Sequence, residues 1–311
     1  MTESAKIVLK SPAKINLYLE VMSRRENGYH DLKSVMAPVS IYDEIEMEKT
    51  ASGVECEIEN DGLSNGSRLV LEKGDDNIAV KAAVLLREKT GCSAGVKIRL
   101  KKRIPVGGGL GGGSSNAAAV LTGLNELWKT GLSKENLVKL AFSLGSDVPG
   151  LTYGGQVCIE GLGDMVKPFC WNGQGLWVVI VNPGFSISTK DIYSRVSSSL
   201  TSEGIPFSSI ASALESRDPM RVAGSLRNDL QEIVFRKYPL VEMIAGDLKS
   251  AGALGVLLSG SGASIFGLAE DREHAVRVAE DVKRLSKVSL WCKVATTLPD
   301  GVMVAHGPLE A

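Results

Sequence analysis

The chain has 311 residues, of which 44% are hydrophobic and 23% charged, so it can bury a sizeable core and we expect two lobes. Its 35 basic and 36 acidic residues leave a formal net charge of -1, which gives no broad attraction to nucleic acid or to an anionic membrane. The five cysteines form no CxxC pair, the start of the chain lacks an apolar signal core, and no apolar run could span a bilayer. These features predict a cytoplasmic protein with reduced thiols and a small-molecule ligand.

The first part of the chain reads mainly as strands. Residues 5–21 are apolar on both sides of Ser11-Pro12-Ala13-Lys14, which predicts two short strands around a tight connection. A polar turn at 24–30 contains Asn-Gly and presents a tyrosine beside a histidine. Residues 41–48 and 53–58 alternate, as half-buried antiparallel strands do.

Helices and strands then alternate around a glycine-rich stretch. Asp75-Asp76-Asn77 predicts the N-cap of a helix that ends near Thr90-Gly91, and 95–100 alternates as a strand. A helix is predicted over 114–129, capped by Ser114 or Ser115, and another over 133–144. Gly145 would end the latter helix and leave 146–150 as an exposed loop.

The second half of the chain mixes further strands and helices, and the absence of regular βαβ alternation favours α+β architecture. Strands are predicted at 156–160, 176–182, 254–258, 263–268 and 288–296, and helices at 189–199, 207–216, 219–235, 239–251 and 271–285. We place the lobe boundary between 160 and 175, which divides the chain into 1–165 and 166–311.

The stretch from Ile104 to Ser115 carries six glycines within seven positions. Glycines remove side chains, so that backbone N–H groups can turn toward an anion such as a phosphate chain. A helix follows at once, and a helix N-terminus behind a glycine loop favours negative charge. The stretch therefore predicts a phosphate-binding loop.

Other interpretations of this loop fit less well. Gly107, Gly109 and Gly112 match a dinucleotide fingerprint, but the following helix leads into another helix and not into a strand with an acidic end. No Lys-Ser or Lys-Thr follows the glycines, which excludes a Walker A loop. A plain glycine hinge would seldom run directly into a well-patterned helix.

Four other features have ordinary explanations when each is considered alone. Lys14 is compatible with a solvated lysine, Asp147 with a turn or cap residue and His30 with a loop histidine. The Gly260-Ser261-Gly262 turn is compatible with a hairpin connection. Pattern alone assigns none of them a role.

Together, five motifs in order resemble those of the GHMP small-molecule kinase superfamily, over essentially the whole chain. The motifs are Pro12-Ala13-Lys14-Ile15-Asn16, Gly28-Tyr29-His30, Pro105 to Ser115 with Asn116-Ala117-Ala118, Gly145-Ser146-Asp147-Val148-Pro149 and Ser259-Gly260-Ser261-Gly262. The resemblance implies a two-lobe α+β fold, with an N-terminal lobe like ribosomal protein S5 domain 2 and a ferredoxin-like C-terminal lobe. The ligands would lie in the cleft between them.

The resemblance also implies a reaction. Gly28-Tyr29-His30 is similar to the segment of members that act on a cytidine-diphosphate-bearing polyol. ATP, with Mg²⁺, would phosphorylate the 2-hydroxyl of the methylerythritol unit of that substrate, in non-mevalonate isoprenoid synthesis. A mevalonate- or homoserine-type kinase and a non-catalytic binding protein of the same fold stay as alternatives.

The resemblance assigns roles to individual residues. Asp147 would accept the hydroxyl proton, and Lys14 would orient Asp147 and offset charge on the moving phosphoryl group. The residues expected to bind ATP are Asn77, Pro105, Gly107, Gly108, Gly109, Leu110, Gly111, Gly112, Gly113, Ser114 and Ser115. Those expected to bind the second substrate are Asn16, Tyr29, His30 and, as the ring stacked on cytosine, Tyr193. Many members have Asp where this chain has Asn116, so the sequence leaves the metal ligands and the oligomeric state open.

Overall fold

The fold is described from a computed structural model of the chain. It describes residues 5–26, 28–61, 76–169, 175–196, 204–216 and 218–304. The predicted Asn-Gly turn falls partly outside these ranges at residue 27, as do residue 75 of the predicted cap and residues 197–199 of the helix predicted over 189–199.

The described residues form the following strands and helices in chain order. The strands are β1 (Lys6–Arg24), β2 (His30–Thr50), β3 (Val54–Asn60), β4 (Gly95–Lys102), β5 (Val157–Gly161), β6 (Met165–Pro168), β7 (Trp177–Asn182), β8 (Arg227–Asn228), β9 (Gly255–Leu258), β10 (Ile265–Ala269), β11 (Trp291–Thr296) and β12 (Met303–Val304). The helices are α1 (Ile78–Thr90), α2 (Gly112–Leu127), α3 (Lys134–Ala141), α4 (Val148–Tyr153), α5 (Thr189–Tyr193), α6 (Phe207–Ser216), α7 (Pro219–Ala223), α8 (Gln231–Lys237), α9 (Pro239–Ser250) and α10 (Arg272–Leu285).

The described residues form two sheets, of which the larger has eight strands and is built on β1 and β2. Its main order is β12-β1-β2-β4-β3, with β5 and β6 continuing beside β2 and β8 paired to β1. β3 and β4 are parallel, because α1 crosses between them, so the antiparallel arrangement expected for β3 is wrong. β8 and β12 come from the second half of the chain, so both halves contribute to this sheet.

β1 is one long strand, and the prediction of two short strands around Ser11 to Lys14 is wrong. The register against β2 shifts between Pro12 and Ala13, which marks a bulge at the residue that has no N–H to donate. Residues 11–19 are buried on both faces of the strand, so a polar turn is not needed there. The continuous strand places Lys14 in the middle of the sheet.

The smaller sheet has four strands in the order β11-β7-β10-β9, and all three of its pairings are antiparallel. Helices α8, α9 and α10 pack on it through an apolar core that includes Val234, Ile244 and Val278. This mixture of two sheets and surface helices confirms the predicted α+β class.

A second apolar core lies between the two sheets. It contains Ala13 and Ile15 of β1 together with Val178 of β7 and Phe266 of β10. A third core, on the other face of the large sheet, includes Met47 of β2 and Leu121 of α2. Alternate residues of β2 enter different cores, since successive side chains of a strand point to opposite faces.

Three helix predictions require correction. The single helix expected over 219–235 is broken into α7, β8 and α8, because residues 227–228 pair with β1. The loop expected over 146–150 is shorter, since α4 begins at Val148 with Pro149 in its first turn and both residues are buried. α5 ends at Tyr193.

The structure also describes most of the cysteines and the lengths of the helices. Cys56, Cys92, Cys158 and Cys292 are free thiols, and Cys170 lies outside the described residues. Within the described part of the chain, no helix is long and apolar enough to cross a membrane. The cytoplasmic location and the boundary between 165 and 166 stay predictions.

Candidate active site

The glycine stretch is a loop between β4 and α2, and it lines a cavity of about 500 Å³. α2 begins at Gly112, with Gly111 as N-cap in the left-handed conformation and no side chain capping it. The prediction that Ser114 or Ser115 caps this helix is therefore wrong, because both serines lie inside the first turns of α2. The uncapped helix start leaves its first backbone N–H groups available to an anion.

The carbonyl groups of this loop are held by residues of the second half of the chain. Gly107 O accepts from Ile187 N (3.2 Å), Gly108 O from Ser264 N (3.0 Å) and Gly109 O from the Ser259 hydroxyl (2.9 Å). A Cβ on Gly109 would lie 2.1 Å from Ser259 O, and the φ angle of Gly109 is +78°. Only glycine allows this contact between loop and turn.

Lys14 and Asp147 face each other in the same cavity. Lys14 Nζ lies 3.3 Å from Asp147 Oδ2 and donates a 2.6 Å hydrogen bond to Asn16 Oδ1. The lysine side chain is only 4% exposed, whereas that of Asp147 is 36% exposed. The buried ammonium thus has two oxygen partners, and the carboxylate stays accessible from the cavity.

The backbone explains why these two side chains meet. Lys14 N donates to Leu110 O (2.9 Å), which fixes β1 against the glycine loop. Asp147 is the N-cap of α4, but its side chain makes no capping bond and is free to approach Lys14. The β5–β6 turn supports the Asp147 loop, since a Cβ on Gly163 would lie 2.4 Å from Ser146 O.

Asn16 links the lysine to the neighbouring strand. Its Oδ1 accepts from Lys14 Nζ, and its Nδ2 donates to the Ser34 hydroxyl (2.9 Å), which donates to Tyr18 O (2.7 Å). Asn16 is 3% exposed and lines the cavity. Its amide therefore orients the lysine, in addition to any role in substrate binding.

Two of the three rings predicted to bind the second substrate lie together. The ring centroids of His30 and Tyr193 are 5.9 Å apart with planes inclined by 32°. Burial and the nearby Arg24 lower the pKa of His30, which favours its neutral imidazole. Burial, with the charges of Asp147 and Asp229, raises the pKa of Tyr193. Tyr29 is 67% exposed at the turn before β2.

Most of the residues predicted to bind ATP line the cavity. They are Asn77, Pro105, Gly107, Gly108, Gly109, Gly111, Gly112, Gly113 and Ser114. Asn77 is also the N-cap of α1, as predicted, with its side chain accepting from Ala79 N (2.8 Å). Leu110 instead has its side chain in the core, and the Ser115 hydroxyl accepts from the buried Ser11 hydroxyl (2.8 Å). The structure thus places these last two side chains away from the cavity.

Lys102 is a cavity residue that the motif analysis did not single out. It is 3% exposed and contacts the buried Asp43 carboxylate and Asn116 Oδ1 (2.9 Å). Asn116 also donates to Asp43 (3.0 Å) and to Ser11 (3.1 Å). The two-residue period of the strand predicts that Lys102 is buried. It lies on the same face of β4 as Val96, Ile98 and Leu100, which is the buried face.

Among the described residues, no group of three or more His, Cys, Asp or Glu side chains is arranged to hold a metal ion. The cavity instead combines a glycine loop at a helix start, a lysine–aspartate pair and the ring of Tyr193, which contacts His30 outside the cavity lining. This arrangement is typical of an enzyme that transfers a phosphoryl group to an alcohol.

Comparison with known families agrees with the geometry. The sequence matches "GHMP kinases N terminal domain" over residues 77–160 and "GHMP kinases C terminal" over residues 210–287. The chain belongs to the GHMP kinase family, whose members use ATP.

Individual relatives are more specific. Proteins named 4-diphosphocytidyl-2-C-methyl-D-erythritol kinase from Syntrophus aciditrophicus and Symbiobacterium thermophilum are 38% and 39% identical to this chain. The first match covers 90% of this chain and 95% of the relative, and the second covers 88% and 95%.

Solved structures support both the family and the fold. A crystal structure of 4-(cytidine 5'-diphospho)-2C-methyl-D-erythritol kinase matches with a TM-score of 0.76 at 35% identity, over 93% of this chain and 99% of that one. A homoserine kinase from Cytophaga hutchinsonii matches with a TM-score of 0.74 at 20% identity, over 98% and 99%, which shows a shared fold alone.

Proposed function

We propose that this protein transfers the γ-phosphoryl group of ATP to the 2-hydroxyl of 4-diphosphocytidyl-2-C-methyl-D-erythritol, hereafter the cytidylyl substrate. The observation that carries the proposal is the Lys14–Asp147 pair, 3.3 Å apart, facing the same cavity as the glycine loop. The named relatives, at 38–39% identity over most of the chain, support the choice of acceptor.

The residues of this chain supply the steps of the transfer. The Asp147 carboxylate accepts the proton of the 2-hydroxyl, and the oxygen then forms its bond to the γ-phosphorus while the bond to ADP breaks. The Lys14 ammonium holds the carboxylate and offsets charge on the moving group. The start of α2 binds the phosphates through backbone N–H groups.

We propose that the neighbouring rings of His30 and Tyr193 bind the cytosine base, for which a neutral imidazole and a protonated phenol are suited. Asn16 and Tyr29 complete the proposed acceptor site. Tyr193 would bind the base by stacking, which does not require its phenol to ionise.

The cavity contains side-chain oxygen atoms that fit as ligands of a magnesium ion bound with ATP. Asp147 and Ser114 line the cavity, and Mg²⁺ prefers oxygen ligands, of which substrate phosphates and water commonly supply most. Asn116 is not available for this role, because its amide is hydrogen-bonded to Lys102, Asp43 and Ser11. Bound Mg²⁺ would neutralise phosphate charge, and Asp147 and Ser114 are the residues we propose to hold it.

A substrate panel tests the proposed function. ADP release is measured with ATP and each of three alcohols: the cytidylyl substrate, mevalonate and homoserine. We expect turnover with the cytidylyl substrate and none above background with the other two. A higher kcat/KM for mevalonate or homoserine, or no turnover at all, would contradict the proposal.

A further inference from the structure

The two sheets are joined at a short segment, Arg227 to Asp229, that includes β8. Its backbone pairs with Tyr18 and Leu19 of β1, and Asp229 N donates to Leu19 O (3.0 Å). The Arg227 guanidinium binds both carboxylate oxygens of Asp229, at 2.7 and 3.2 Å. The segment is therefore fixed to the strand that carries Lys14.

From this segment, the side chain of Asn228 reaches the smaller sheet. Its Nδ2 donates to Leu258 O and to Gly260 O, both at 2.8 Å, and its Oδ1 accepts from Leu230 N (2.9 Å). Asn228 is 7% exposed. Both amide hydrogens are thus used to hold the start of the turn between β9 and β10.

This turn contacts the reaction centre directly. Gly260 lines the cavity, and a Cβ built on it would lie 3.2 Å from Lys14 Nζ and 3.3 Å from Gly109 O. The preceding residue, Ser259, donates its hydroxyl to Gly109 O (2.9 Å). A displacement of the turn would move both the glycine loop and the wall beside the lysine ammonium.

We propose that Asn228 is a positioning residue for phosphoryl transfer, which sets the place of Ser259 and Gly260 against Lys14 and the glycine loop. The inference rests on the proposed kinase function and goes beyond it, because Asn228 itself does not line the cavity. Asn228 acts through two carbonyl groups that it holds from the opposite sheet.

The test replaces Asn228 by Asp, which has the same shape but presents an oxygen to the two carbonyls. Loss of both donated hydrogen bonds frees the turn, and a misplacement of about 1 Å at an active site costs on the order of 10²-fold in rate. We expect kcat of Asn228→Asp to fall by about 10-fold to 10²-fold with KM for both substrates near the wild-type values. Asn228→Ser, which keeps one hydroxyl donor, should lose less and serves in place of the Asp variant if that variant does not fold.

Asn125→Asp is the matched control. Asn125 also holds a turn with its amide, through Leu132 N (3.0 Å) and Leu132 O (3.1 Å), at the far end of α2. The Asn125→Asp substitution should lower the melting temperature without changing kcat per folded molecule. A merely structural role for Asn228 predicts the same result for Asn228→Asp, which would overturn the inference.

A double-variant cycle supplies a second readout. Ser259→Ala removes the hydroxyl that holds the glycine loop, so its effect on kcat should not multiply with that of Asn228→Ser if both act through one turn. Independent, multiplicative effects would overturn the inference. Wild-type turnover is measured first on the three alcohols, and the variants are assayed with the alcohol that it phosphorylates. Failure of the proposed acceptor is thereby separated from failure of the positioning role.

Discussion

Lys14 and Asp147 are far apart in the chain, and each has an ordinary explanation when it is considered alone. The roles proposed for them rest on local geometry: a buried ammonium with Asn16 as its second partner, and an N-cap carboxylate that makes no capping bond. A buried ammonium needs hydrogen-bond partners, whereas a half-exposed carboxylate can reach a substrate.

Asp147→Asn is expected to fold normally and to lose about 10² to 10⁴-fold in kcat, because an amide cannot accept the hydroxyl proton. The measurement is steady-state kcat together with the melting temperature. Asp271→Asn is the control, since Asp271 is also an N-cap residue and Asn caps as well as Asp. Near-normal kcat in Asp147→Asn would remove Asp147 from the role of proton acceptor.

His30→Ala is expected to weaken binding of the cytidylyl substrate far more than binding of ATP. Loss of a ring that contacts a base costs about 1–3 kcal/mol, which corresponds to an increase in KM of about 5-fold to 160-fold. KM values for both substrates provide the test, with His274→Ala as a control in α10, where the ring contacts Gly252 O (3.1 Å). Equal increases in KM for ATP and for the cytidylyl substrate would indicate that the Gly28-Tyr29-His30 segment has a structural role.

His30 also predicts a pH dependence of stability. Its pKa in the folded protein lies below the ordinary value, so the unfolded chain binds more protons between the two values and acidification favours unfolding. Between about pH 7.5 and about pH 5.5, the melting temperature of the wild type should fall more than that of His30→Ala. An equal or steeper fall in the variant would contradict this sign.

At the scale of elements, the glycine loop shows how far sequence reasoning reaches. The run of glycines before a patterned helix predicts a phosphate loop, because backbone access and helix polarity are local properties. The same local pattern misassigns the helix cap to Ser114 or Ser115, since α2 begins earlier, behind a left-handed Gly111 that packs closely against Lys14. A Cβ on Gly111 would lie 2.7 Å from Lys14 Cγ.

The contact between loop and turn predicts a large effect of Gly109→Ala. The new Cβ would meet Ser259 O at 2.1 Å, in addition to the cost of a positive φ angle. Gly131→Ala is the matched control, with a φ of +71° and open space around the Cβ. The control should cost about 1–2 kcal/mol in the free energy of unfolding, and Gly109→Ala should cost more and also lower kcat/KM for ATP. Equal unfolding free energies would contradict the close approach.

Tertiary pairing accounts for the elements that the sequence did not predict. Residues 219–235 have a helical pattern, but Arg227 and Asn228 pair with β1, and this long-range contact outweighs local propensity. β1 likewise continues through Pro12, because β2 pairs with it on both sides of this residue and the register shifts at a bulge between Pro12 and Ala13. The buried position of Lys102 could be inferred from the two-residue period of β4. The position of Asn228 could not, because the role proposed for it depends on a turn thirty-two residues later.

At the scale of the whole molecule, the core between the sheets joins the two halves. Ile15 of β1 and Phe266 of β10 belong to one apolar cluster, and β8 and β12 complete the large sheet. Because these elements share a core and a sheet, we expect them to unfold as one cooperative unit. We therefore expect the parts of the chain on either side of the boundary predicted between 165 and 166 to unfold in a single transition.

A single cooperative unfolding transition is expected. Calorimetry and far-UV circular dichroism should give the same midpoint, and the calorimetric enthalpy should equal the van't Hoff enthalpy. A saturating concentration of ATP should raise that single midpoint, since a ligand that binds only the native state stabilises all of it. Two separate transitions, of which ATP shifts only one, would show that the halves are independent.

The three hydrogen bonds that hold the glycine carbonyls bear on how the chain matures during synthesis. Their donors, Ile187, Ser259 and Ser264, leave the ribosome long after the loop itself. A nascent chain that ends before Ser264 has the glycine sequence but lacks at least one of the three hydrogen bonds that hold the loop. Stalled ribosome complexes should therefore acquire nucleotide binding late, after Ser264 in the second half of the chain has emerged.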